Sequence, residues 1–237
     1  MSWPAAGELH GLAYYWQWDH ASYQVLGTDG KIGKRIDVPL NGKSTIHDMA
    51  FTPKYAVFLD GPIVFNAAAH AAGYEFPYMW DHGYRTRWAV VDRSGTAADV
   101  KFCDAPGACT FHILNAFDLP GGRVAVDAVT YPVLFVDDLT GPTDAKGRLD
   151  RFILDPATGT AKAERLDDRP QEMPRLDERL AGRTGTAISA PGSATAASLS
   201  RTWKRDGRSS TTTAPAGSAS RRCSSRRRLT APRTTAG

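Results

Sequence analysis

Residues 45–66 read TIHDMAFTPKYAVFLDGPIVFN. A histidine stands beside an aspartate at the head of an apolar strand. A TPKY break, a second apolar run, a Gly-Pro kink and a third run follow. Short β-branched or aromatic segments separated by turn residues are strand segments. His47 therefore places an ionisable, metal-capable ring at the mouth of a hydrophobic strand pair. The same texture extends in both directions from this stretch. GLAYYWQW, SYQVLGT and KIGKRIDV precede it, and TRWAVVD, DVKFC, HILNAFDL, RVAVDAVTY, RFILDPATG and AKAERLDD follow. The turns TDGK, RSGT, LPGG and DPATG supply residues that reach positive φ at little cost. Strands recurring at this spacing, with hardly a helical stripe between them, predict an all-β sandwich, barrel or propeller over residues 1–182. FNAAAHAAGYEF is the exception and predicts a helical turn or a long loop.

The bulk composition bounds the function classes. Of the 237 residues 42% are hydrophobic and six are tryptophan, enough for a folded core. No apolar run approaches the length of a membrane span. The N-terminus MSWPAAGELHG has neither a basic nor an apolar leader region, so no signal peptide is expected. Cys103, Cys109 and Cys223 are odd in number and irregularly spaced, which predicts a reducing cytoplasmic setting rather than a disulfide framework. The net charge of +4 hides a division. Residues 183–237 hold eleven Lys and Arg against the single acid Asp206, leaving an acidic body and a strongly basic tail. That tail contains one aromatic residue, Trp203, and few aliphatic ones, a composition that predicts disorder.

Chemistry is sought first among the six histidines, His10, His20, His47, His70, His82 and His112. They form no HExxH, HxH or Cys-His cluster, so a metal site built from them must assemble from distant strands. His47 in IHDMAFT and His112 in CTFHILNAFD differ from the rest, since each sits at a strand head in apolar company. A surface or hydrogen-bonded structural role is expected for His10, His20, His70 and His82.

Four ordered segments carry a resemblance. IHDMAFTPKYAVFLDGPIVFN is similar to the histidine-aspartate signature of the carotenoid cleavage oxygenases, the family that includes lignostilbene dioxygenases and retinoid isomerases. MWDHGYRTRWAVVDRSG, CTFHILNAFDLPGGRVAVDAVTY and LDRFILDPATGTAKAERLDDRPQEMPRLDERLAGR resemble three further blocks of that family, in family order. The resemblance implies a seven-bladed β-propeller with iron(II), Fe(2+), on its axis, held by four histidines from different blades. It implies a dioxygenase that uses O2 to split one double bond of a lipophilic carotenoid, apocarotenoid or stilbene into two carbonyl products. By motif position His47 and His112 are implied as two of the metal ligands, and neutral imidazole suits iron. Glu172, in QEMPRL, is implied as the carboxylate that hydrogen-bonds a ligand histidine and orients its ring. No catalytic residue beyond the metal ligands and no organic cofactor is implied.

The family's first ligand segment survives here only as PAAGEL, residues 4–9, and its fourth lies beyond Gly182. Residues 1–182 are thus expected to form part of a propeller carrying half of the metal site, with little or no turnover. The tail is expected to be a frameshift product. Read in a neighbouring frame with third bases free, RTGTAI, SRRCSSR and RTTAG permit three family blocks in the right order; sequencing the gene tests this, since third bases that forbid those readings exclude it. Two alternatives carry different partners. One is a non-catalytic β module binding a lipophilic ligand or partner, with peripheral membrane contact compatible with either reading. The other is a nucleic-acid binder using the basic tail through counterion release. The tail lacks the aromatic interleaving of single-strand binders, so no specific nucleic acid is expected.

Overall fold

A computed structural model describes residues 2–3, 7–136, 146–176 and 181 of the chain. The basic tail from Arg183, and the expectations attached to it, lie outside the described residues. The strands run β1 Ser2–Trp3, β2 Glu8–Tyr14, β3 His20–Leu26, β4 Ile32–Pro39, β5 Ala50–Phe51, β6 Tyr55–Asp60 and β7 Ile63–Phe65. After the helix α1, Ala67–Ala71, come β8 Tyr78–Trp80, β9 Arg87–Asp92, β10 Lys101–Asp104, β11 Cys109–Asp118, β12 Val124–Tyr131, β13 Arg148–Asp155 and β14 Thr160–Asp167.

Three four-stranded antiparallel units emerge. The first is β1–β2–β3–β4, the second β5–β6–β9–β10 and the third β11–β12–β13–β14. The second and third join into one continuous eight-stranded sheet through a parallel bridge, Asp104 to Thr160, between their last strands. The β7–β8 pair is an excursion inserted between β6 and β9.

The two-residue period of the strands explains how the units stack. In β6 and β9, Val57, Leu59, Trp88 and Val90 point to one side and pack with Val124, Val126, Phe152 and Leu154 of the third unit. Their neighbours Ala56, Phe58, Ala89 and Val91 point to the other side and pack with Tyr23, Val25, Ile36 and Val38 of the first. The middle unit is therefore apolar on both faces, and its sequence reads as a nearly continuous hydrophobic run. Each fully buried large side chain there contributes about 1.5–3 kcal/mol, and Phe58 and Trp88 are both fully buried. Four-stranded sheets stacked face to face in chain order are blades of a propeller.

Several local expectations are refined. GLAYYWQW does not stay extended: β2 ends at Tyr14, and Trp16 and Gln17 turn the chain toward β3. The bulky rings end on the surface side of that hairpin, with Trp16 stacked on Phe65 at 4.4 Å. FNAAAHAAGYEF does hold a helical turn, because Asn66 caps α1 by accepting the Ala69 N–H at 2.8 Å. The TDGK and LPGG turns use Gly30, Gly121 and Gly122 at φ between 74° and 79°.

His10 has the structural role expected of it. Its ring is buried, with Nδ1 2.7 Å from the Tyr23 hydroxyl and Nε2 3.1 Å from the Arg93 guanidinium. A guanidinium only donates, so Nε2 accepts and Nδ1–H donates to Tyr23. Burial, and then the Arg93 charge, lowers the His10 pKa; Glu8 opposes this. The folded protein therefore resists protonation that the unfolded chain accepts. Stability is complete above the ordinary histidine value near 6.5 and falls as pH drops below it, by at most about 1.4 kcal/mol per pH unit from this group. Urea unfolding at a series of pH values from 7.5 to 5 checks this, and His10→Gln is expected to flatten that part of the profile.

Candidate metal centre

The site grows from the first strands of two neighbouring blades. β5 and β11 lie beside each other. His47 stands in the extended segment leading into β5, three residues before it rather than at its head, and is exposed. His112 lies inside β11 and is half-buried.

A β-bulge decides where His112 points. In the β11–β12 ladder Thr110 faces Thr130 and Ile113 faces Ala128, so Phe111 and His112 together oppose the single residue Val129. Such a bulge bends the strand and re-aims a side chain. The ring of His112 meets that of His47 edge to face, with centroids 5.2 Å apart. Phe111, the other bulged residue, meets His47 edge to face at 5.3 Å.

Asp48 ties the two segments together. Its Oδ2 accepts the Ile113 N–H of β11 at 2.8 Å, and its Oδ1 accepts the Met49 N–H at 2.8 Å. Burial raises the Asp48 pKa, opposed by those two backbone donors and by the neighbouring histidines. The His-Asp dipeptide marked this residue in the sequence, yet nothing there indicated that its carboxylate bridges to a strand 65 positions away.

Glu172 lies against His112: Nδ1 of the ring is 2.6 Å from Oε2. The same oxygen accepts the Met173 N–H at 2.6 Å, and Oε1 accepts the Tyr131 hydroxyl at 2.5 Å. A carboxylate that only accepts requires the proton on His112 Nδ1, which leaves the Nε2 lone pair free. Tyr131 was not singled out by sequence reasoning. It sits 4% exposed on β12, and burial followed by Glu172 raises its pKa.

The other histidines make their contacts elsewhere. His10 is described above, His20 stacks on Trp18 at 5.2 Å, His70 packs on Trp16 and Phe65, and His82 lies beside Trp80. Among the described residues no group of three or more His, Cys, Asp or Glu is placed to hold a metal. The pair His47 and His112 nevertheless fits part of such a shell. A metal about 2.1 Å from a ring nitrogen stands about 3.2 Å from the ring centre, so rings 5.2 Å apart suit two adjacent positions around one ion. Neutral imidazole is an appropriate donor for iron.

Four-stranded blades stacked in chain order define the β-propeller class, here with the His47 and His112 rings edge to face beside the first strands of two blades. Comparison with known proteins makes this specific. The chain belongs to the carotenoid cleavage oxygenase family: the model described as retinal pigment epithelial membrane protein matches residues 2–214. A carotenoid cleavage oxygenase of Mycobacterium tuberculosis is 30% identical over 76% of this chain and 44% of its own length. An apocarotenoid-15,15'-oxygenase of Synechocystis is 27% identical over 67% of this chain and 34% of its own. The crystal structure of a Pseudomonas brassicacearum lignostilbene dioxygenase superposes with a TM-score of 0.68 at 28% identity, covering 79% of this chain and 42% of the other. The chain spans less than half the length of these relatives.

Proposed function

We propose that this chain carries part of a non-haem iron(II) dioxygenase of the carotenoid cleavage type. The observation that carries the reading is the His47–His112 pair with Glu172 on the outer nitrogen of His112. His47 and His112 would hold iron through their free ring nitrogens, with Glu172 setting the tautomer of His112. Iron bound there supplies the activation of O2 that converts one carbon–carbon double bond into two carbonyl groups. The residues of this chain contribute binding and orientation. Phe111 flanks His47, and its ring meets Phe135 and Tyr131; Phe135 in turn meets Phe76. This aromatic tract beside the histidines favours a lipophilic substrate, a carotenoid, apocarotenoid or stilbene. Cys103 and Cys109 are buried free thiols whose pKa burial raises to about 11 and about 12, which makes them poor nucleophiles and leaves the chemistry to the histidine pair. No helix of the described residues is long and apolar enough to cross a membrane.

Two imidazoles bind iron weakly, so the 237-residue chain is expected to hold well under one iron per molecule and to turn over little. Iron analysis of the purified chain, with product analysis after incubation with a carotenoid and a stilbene under O2, tests both statements. Stoichiometric iron with cleavage overturns the inactivity. Iron retention unchanged after replacing both histidines overturns the site.

A further inference from the structure

We propose that Tyr131 is a positioning residue for the metal centre, acting through Glu172 to hold His112 with its proton on Nδ1. The inference rests on reading His112 as a ligand.

Glu172 sits on irregular backbone after β14, next to Met173 at a positive φ of 51°, so no ladder fixes its direction. Its carboxylate is instead held at both oxygens. The Met173 N–H holds Oε2 from the same loop, whereas the Tyr131 hydroxyl holds Oε1 from a buried strand. Tyr131 is thus the only one of the two holders anchored in the sheet. Its partner across the β11–β12 ladder is Cys109, and its ring packs on Phe111 at 6.0 Å.

A glycine permits this approach. Gly147 lies where a Cβ would come within 2.8 Å of Tyr131 Cζ, 2.8 Å of the Gln171 carbonyl oxygen and 2.5 Å of Val129 Cγ1. Gln171 donates its N–H to the Gly147 carbonyl at 2.9 Å. The loop that carries Glu172 is therefore pinned on bare backbone directly against the tyrosine ring. Hydrogen bonds to a carboxylate are short and strong, and a rigid donor fixes the acceptor's rotation as well as its place. Without the hydroxyl, Oε1 loses the contact that ties it to the sheet, and apart from His112 the carboxylate is held only at Oε2, by the adjacent Met173 N–H. His112 Nδ1–H then has a less constant acceptor, and the ring is free to sample the Nε2–H tautomer, in which Nε2 cannot bind a metal.

The tautomer of His112 can be read in the metal-free full chain from long-range nitrogen–proton NMR correlations of the ring. The wild-type ring is expected to be wholly Nδ1–H, and Tyr131→Phe is expected to give a mixture. Co(II) titration of the same samples is expected to show about a 10-fold loss of affinity in Tyr131→Phe, the lower end for a partner beyond the ligand. A folded Tyr131→Phe with the wild-type tautomer overturns the proposal. If that variant fails to fold, the wild-type protein decides. A downfield Tyr131 hydroxyl proton, protected from exchange and lost in Glu172→Ala, supports the contact; its absence overturns it. Failure to bind any metal refutes the proposed function and leaves the tautomer result to be judged separately.

Discussion

His112→Ala is expected to lower the Co(II) affinity of the chain by at least about 10-fold, toward that of a protein without a site, since even an outer partner of a ligand is worth about 10–100-fold. The variant removes one of two imidazoles and leaves Glu172 and the Tyr131 hydroxyl bonded to each other with no ring to orient. His47→Ala is expected to do the same, and the double variant to be little worse than either single one, because residues acting on one ion are not additive. His82→Ala, at a ring that contacts Trp80, is the control and should bind as the wild type does. Calorimetric or absorbance titration checks all four proteins. Equal affinity in wild type and His112→Ala would remove His112 from the centre.

Asp48→Ala is expected to be the most damaging substitution near the site for stability. It strips the acceptor from the Ile113 and Met49 N–H groups, and an abandoned buried donor costs about 1–3 kcal/mol. The total is expected at about 2–4 kcal/mol, with the melting temperature lowered by about 2–4 °C for each kcal/mol in a chain of this size. The segment bearing His47 would also lose its tie to β11, so metal affinity should fall with stability. Asp48→Asn keeps one carbonyl oxygen and is expected to lose less of both. Urea unfolding and Co(II) titration on the two variants separate these effects; a wild-type melting profile for Asp48→Ala would show that the carboxylate does not carry the bridge.

Much of the fold was legible because strand chemistry is local. The β-branched and aromatic runs YAVFLD and RWAVVD, and the glycines Gly30, Gly121 and Gly122 that reach positive φ in the turns, act within a few residues. The error at GLAYYWQW has the same origin: aromatic richness marks both strands and surface hairpins, and only packing against Phe65 distinguished them. Local texture also could not place His47, because an extended segment before a strand has the same composition as the strand itself.

The sequence by itself determined the residue types that matter: an all-β chain, His47 and His112 in apolar motifs, and Glu172 in a block resembling one family. Only the tertiary structure decided their relation. The histidines meet because the first strands of two blades lie side by side, and His112 turns toward His47 because a bulge sets two residues against one. The roles of Asp48 and Tyr131 escaped notice because their partners are 65 and 41 positions away, where no spacing rule reaches. Hydrogen bonds act over about 3 Å of space whatever the separation along the chain, so such partners are found only after the sheets have stacked.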